Sequence, residues 1–107
     1  MRIEPHVAVL AEDLPGIYAF IARDNPAAAQ RVLEAVQSTF DQLARQPECA
    51  VRYPTRHPKL RDARMLPVHG FPDYLVFHRI EADAVRILYV VHGARHLPRL
   101  FRREPRS

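Results

Sequence analysis

The sequence predicts an α+β fold: an edge strand, a two-helix antiparallel hairpin, then a three-stranded antiparallel meander. Two observations predict it. Apolar residues recur at helical spacing on either side of Asp24-Asn25-Pro26, so two helices are joined by very few residues and must run antiparallel. From Met65 to His92 the chain breaks into three apolar and aromatic runs with short links. A parallel return needs a crossover of about a dozen residues or more, so these runs pair antiparallel.

Taken in order, Met1–Glu4 is an edge strand ended by Pro5. Leu10, Leu14, Ile17, Tyr18 and Ile21 then form one helical stripe. Pro15 lies inside it, so either the helix kinks there or it starts near Glu12 with Pro15 in its first turn. Asn25 is a favoured N-cap and Pro26 a favoured first residue of a second helix, which runs to about Gln46 and is ended by Pro47. Its stripe is Ala29, Val32, Leu33, Val36, Phe40 and Leu43. Residues 47–64 show no period and read as a long, basic, proline-rich loop. Met65–His69 is the first run of the meander, and Gly70-Phe71-Pro72-Asp73 is a turn. Tyr74–Ile80 is the second run and Glu81–Ala84 a hairpin link. Val85–Val91 is the most apolar run and should be a central strand, delivering His92-Gly93-Ala94-Arg95-His96 at its end. A Gly at that place predicts a positive φ or a close backbone approach. Leu97, Leu100 and Phe101 can dock on the core, and residues 102–107 are expected to be a frayed, basic tail.

At 107 residues the chain fits one domain, 1–107. It has no apolar run of about 18 residues and no secretory pattern, and Cys49 is the only cysteine, so a reducing cytoplasm is expected. The net charge of +4 is unevenly spread. Residues 1–51 hold four basic and seven acidic residues (−3), whereas 52–107 hold twelve basic and five acidic (+7). All the basic residues but Lys59 are arginines, whose planar fork pairs with carboxylates and phosphates. The basic half expects an acidic partner, either nucleic acid or an acidic protein segment.

Several chemistries lack their residues. Of the six histidines only His92 and His96 are close in sequence, and Gly93 between them argues against a helix that would align them on one metal, so no metal and no cofactor is expected. Three glycines cannot make a glycine-rich phosphate loop, and Ser38 and Ser107 are poorly placed as nucleophiles. What remains is a basic and aromatic set: Arg61, Arg64, Tyr74, Arg79, Tyr89, His92 and Arg95. Metal-free RNA cleavage needs a base, a cation for the phosphorane and an acid, roles that His92, Arg95, Arg64 and Arg79 can fill. The plainer reading has Tyr74 and Tyr89 as packing residues and Arg79 paired with Glu81 or Asp83, and for the tyrosines it is the favoured one.

Asp13 to Pro47 resembles the helical hairpin of the RelE/ParE toxins of bacterial type II toxin–antitoxin pairs: Asp13-Leu14, Ile17-Tyr18, Ile21-Ala22, Asn25-Pro26-x-Ala28-Ala29, and Leu43 before Pro47. The strand pattern is similar too, at Arg64–Val68, Tyr74–Arg79 and Val85–Arg95 with its His-Gly-Ala-Arg end, so the likeness spans roughly residues 10–101. The resemblance implies the β-α-α-β-β-β fold already read from the pattern. It also implies a growth-inhibiting toxin neutralised by a cognate antitoxin, in a hetero-oligomer without membrane contact. The Asn-Pro-x-Ala-Ala helix start and the His-Gly-Ala-Arg end look more like the ParE branch, which poisons DNA gyrase, although Tyr89 stands where that branch often has Arg. The antitoxin is then expected to be a ribbon-helix-helix protein with an acidic C-terminal segment. The seven basic and aromatic residues would bind target or partner, with no catalytic residue. The alternatives are the RelE branch, which cleaves mRNA on the ribosome, and a non-toxic member that only binds its antitoxin.

Overall fold

The computed structural model describes residues 1–100 and 105–107, with the backbone alone at Lys59 and residues 97–99. The chain runs β1 (Arg2–Pro5), a π-helical turn (Val9–Asp13), α1 (Leu14–Ala22), α2 (Pro26–Arg45), β2 (Val51–Arg52), β3 (Arg64–Val68), β4 (Phe71–Ile80), β5 (Ala84–His92) and α3 (Gly93–Leu100). The strands form one sheet in the order β1-β5-β4-β3-β2. β1 is parallel to β5, and the other pairs are antiparallel. The α+β class, the helical hairpin and the meander are as the sequence predicts. The parallel docking of β1 follows from the hairpin, which serves as the crossover that a parallel pair requires.

Pro15 settles at the second position of α1, where the helix needs no backbone donor. The residues before it wind into an i→i+5 turn, which rotates them relative to a regular helical wheel. The buried stripe is therefore Val9 and Ile17, with Leu14 and Ile21 half-buried. Leu10 and Tyr18, expected on that stripe, face outward at 57% and 38% exposure.

The side chain of Asn25 accepts a hydrogen bond from the Ala28 amide at 3.0 Å, which starts α2 as predicted. Ala29, Val32, Val36, Phe40 and Leu43 are buried against the sheet, and Leu33 is half-buried. Each fully buried Val or Leu contributes about 1.5–3 kcal/mol. Thr39 joins this face because its hydroxyl is satisfied: it donates to the Ala35 carbonyl at 2.8 Å and accepts from the His69 amide at 3.2 Å.

The first hairpin is tighter than expected. Its turn is His69-Gly70, with Gly70 at φ 79°, and Phe71 already pairs with Val68. The register shifts between Pro67 and Val68, leaving Pro72 opposite no β3 residue, where a missing N–H costs nothing. A second irregularity lies between β4 and β5. Phe77 pairs with Tyr89 and His78 with Ile87, so Leu88 is the extra residue of a bulge. Beyond that bulge Val90 and His92 face the helices with Val76 and Tyr74, and Tyr89 and Val91 face the other way with Phe77 and Leu75.

The stretch 47–64 is not the unstructured loop that its lack of period predicts. Short 3-10 turns at Pro47–Cys49 and Pro58–Leu60 flank β2, which pairs with β3. Leu60 and Ala63 are fully buried against Phe77 and Leu88, and Tyr53 meets Phe77 edge to face at 5.1 Å. This stretch roofs the sheet face that the helices leave bare. The continuous apolar run of β5 requires it, since such a strand is buried on both sides.

The C-terminal reading also changes. The chain does not leave β5 as an open strand end, because α3 starts at Gly93. Gly93 has no positive φ, but the backbone approaches closely there: a Cβ would lie 2.9 Å from Leu75 Cδ1, so any side chain must displace that leucine tip. Leu100 packs on the second core as expected. The side chain of Leu97 lies outside the described residues, as do Phe101 and the tail residues 102–104. Pro105 and Arg106 are not frayed: Pro105 is buried and Arg106 is ion-paired with Asp13.

Candidate functional site

β1 covers β5 only from Ala84 to Ile87. Beyond that point β5 faces α1 across a cleft of about 600 Å³. Glu12, Asp13, Gly16, Ile17 and Phe20 form its helical wall, and Val90, Val91 and His92 its strand wall. Tyr74, Arg95, His96 and Arg106 complete it.

Three of the residues singled out from sequence meet at the upper end of this cleft. Tyr74 and His92 are cross-strand partners, so the pleat sets them on one face, with rings edge to face at 5.2 Å. The Tyr74 hydroxyl accepts a hydrogen bond from the Arg95 guanidinium at 3.1 Å. The Arg95 amide donates to His92 Nδ1 at 3.3 Å, so His92 caps the first turn of α3. The guanidinium lies over the Phe20 ring, 3.9 Å from its centroid. The cation is thus flattened between α1 and the sheet while its residue stays exposed. Tyr74 is buried, so the packing reading of that residue holds together with a hydrogen-bonding role.

The other four lie elsewhere. Tyr89 is buried on the opposite face of the sheet, edge to face with Phe77 at 6.3 Å. Arg79 pairs across the strands with Arg86, also on that opposite face. It is five residues along β4 from Tyr74, about 16 Å at the rise of a strand. Arg64 lies on the helix-facing side, beside His78, and its guanidinium donates to the Ala50 carbonyl at 3.1 Å. Arg61 is exposed just after the second 3-10 turn. The four groups needed for metal-free RNA cleavage, His92, Arg95, Arg64 and Arg79, are therefore not gathered around one phosphate.

The lower end of the cleft was not read from sequence. Asp13, only 9% exposed at its side chain, accepts from the Val90 amide at 3.0 Å and from both terminal nitrogens of Arg106, at 2.6 and 3.0 Å. Arg106 also donates to the Leu88 carbonyl at 3.1 Å and stacks 4.5 Å from the Tyr89 ring centroid. The legible signal was an acid at the i+4 position between buried Val9 and Ile17. Nearby His6 accepts from the Ala8 amide at 3.0 Å, and its pKa is lowered by burial and then by the Arg106 and Arg86 guanidiniums. Among the described residues no group of three or more His, Cys, Asp or Glu is placed to hold a metal, and no helix is long and apolar enough to cross a membrane.

The family described as ParE toxin of type II toxin-antitoxin system, parDE, matches residues 9–97. The chain belongs to the ParE toxin family. Its fold agrees with a solved chain from the chromosomal ParDE toxin–antitoxin system of P. aeruginosa, at 17% identity and a TM-score of 0.68, covering 86% of this chain and 95% of that one. No curated protein sequence matches it significantly. The ParE match includes the whole helical hairpin, the meander and the cleft from Glu12 to His96, and leaves Arg106 outside.

Proposed function

We propose that this ParE-family chain inhibits DNA gyrase and is held inactive by a cognate antitoxin. The observation that carries the reading is the state of Arg95. It is displayed as a flat cation backed by Phe20 and Tyr74 at the mouth of a cleft, an arrangement suited to recognising a macromolecule. Arg64 and Arg79 stand apart from His92, which weighs against the mRNA-cleaving alternative.

The antitoxin is a ribbon-helix-helix protein whose acidic C-terminal segment meets the basic half of the chain. Its association should be faster at low salt, since exposed charges steer encounter and are screened as ionic strength rises. The deciding experiment is induced expression, followed by gyrase supercoiling and ribosome-bound mRNA cleavage assays with purified protein. Loss of supercoiling with intact mRNA is the expected result. Cleaved mRNA with normal supercoiling defeats the gyrase reading, and activity in neither assay points to a member that only binds its antitoxin.

A further inference from the structure

The contacts of Arg106 amount to a complete arginine-recognition site. Asp13 takes its two terminal nitrogens side by side, and the Leu88 carbonyl takes another bond from one of them. The Tyr89 ring lies under the guanidinium, and the Tyr89 hydroxyl accepts from the Arg106 main-chain amide at 2.8 Å. The site therefore reads both the side chain and the backbone of its occupant. Lysine, a point charge without the planar fork, cannot make this set.

We propose that this pocket floor is an exchangeable arginine-binding site, in which Arg106 is the resident occupant and an arginine from an extended segment of a partner protein can take its place. Three features support exchange. The occupant belongs to no strand or helix, so it can leave without disturbing β5 or the helices. Asp13 is nearly buried and also holds the Val90 amide, so an emptied site keeps its demand for a cation. Beyond Ile87 β1 no longer covers β5, the cleft beside that edge has room for an incoming extended segment, and the Leu88 carbonyl is freed when Arg106 leaves. This inference does not rest on the gyrase reading, because binding is measured without gyrase.

The test uses a fluorescent peptide with the sequence of residues 103–107 and anisotropy against the full-length protein. Arg106→Ala protein should bind it at least tenfold more tightly than wild type, whose site is occupied. The same peptide with Ala in place of its Arg106 should bind Arg106→Ala protein at least tenfold more weakly, and a Lys peptide should fall between. Asp13→Asn introduced together with Arg106→Ala should abolish binding. Should that protein not fold, Tyr89→Phe keeps the ring, loses the backbone acceptor, and should weaken binding severalfold. Equal binding to wild type and Arg106→Ala, or an Ala peptide as good as the parent, overturns the proposal. If Arg106→Ala does not fold, excess unlabelled peptide added to wild type should shift the Val90 amide resonance, and no shift overturns it equally.

Discussion

Arg95 and Phe20 form a cation–π pair, the guanidinium carbon 3.9 Å from the ring centroid, that ties the first turn of α3 to α1. At an exposed site such a pair is worth about 0.5–1 kcal/mol, so its effect should be on presentation more than on stability. Arg95→Ala and Phe20→Ala should both reduce toxicity on induced expression while shifting denaturant midpoints little. Arg95→Lys should retain less than wild-type toxicity, because it keeps the charge and loses the flat stack.

His92 separates the two functional readings. Its Nδ1 is engaged by the Arg95 amide and its ring by Tyr74. His92→Ala should leave most toxicity intact, whereas a nuclease base would lose about 10²–10⁴-fold. Growth curves of the two strains after induction, with ribosome-bound mRNA cleavage in parallel, check this. Abolition of both toxicity and cutting by His92→Ala alone sinks the gyrase assignment.

Much of this architecture was legible because it rests on local rules. Asn25-Pro26 starts α2, and the apolar run of β5 makes it central. What escaped was set by tertiary contact. The π-helical turn before Pro15 rotates Leu10 outward and Val9 inward, which a regular helical wheel cannot show. Leu60 and Ala63 have no periodicity of their own, and only the bare face of the sheet explains their burial. In the candidate site, Tyr74 and His92 belong to the meander and Arg95 follows just after it, and all three stand in the basic and aromatic set that the sequence points to. Phe20 and Arg106 come from distant parts of the chain, and strand pairing alone put Arg79 on the opposite face.

Gly93 gives a graded prediction. A Cβ would meet Leu75 Cδ1 at 2.9 Å, and behind it the Asp73 carbonyl oxygen lies at 3.7 Å. The leucine tip can shift for one methyl group, but the backbone oxygen cannot, so Gly93→Ala should cost little. Gly93→Val should cost about 1–3 kcal/mol, the usual range for overpacking. Leu75→Ala in the Gly93→Val background should recover part of that loss by denaturant titration. Equal losses in the single and double variants would show that the contact is irrelevant.

Ile87 is fully buried on the helix-facing side of β5, opposite His78. Ile87→Ala should cost about 2–5 kcal/mol through lost transfer energy and the cavity left behind. A loss below half a kcal/mol by denaturant titration is incompatible with a central, well-packed β5.

His78 should make stability depend on pH. Its ring is fully buried, and neither ring nitrogen has a hydrogen-bond partner in bonding geometry. Burial pushes its pKa down from 6.5 to about 4; a pull upward from the Val76 backbone is outweighed, and the Arg64 guanidinium adds to the depression. Below pH 6.5 the unfolded chain takes up a proton that the folded chain refuses. Stability is therefore fully present above about pH 6.5, declines as pH falls to about 4, and levels off below that as far as this residue is concerned. The size of the shift corresponds to a loss of about 3 kcal/mol across the window. His78→Leu should remove that slope, and should not cost stability at pH 7, because two unpaired buried nitrogens are exchanged for apolar volume. Denaturant titrations of both proteins from pH 7.5 to 4 check the prediction. Parallel curves for wild type and His78→Leu would assign the acid sensitivity to other groups.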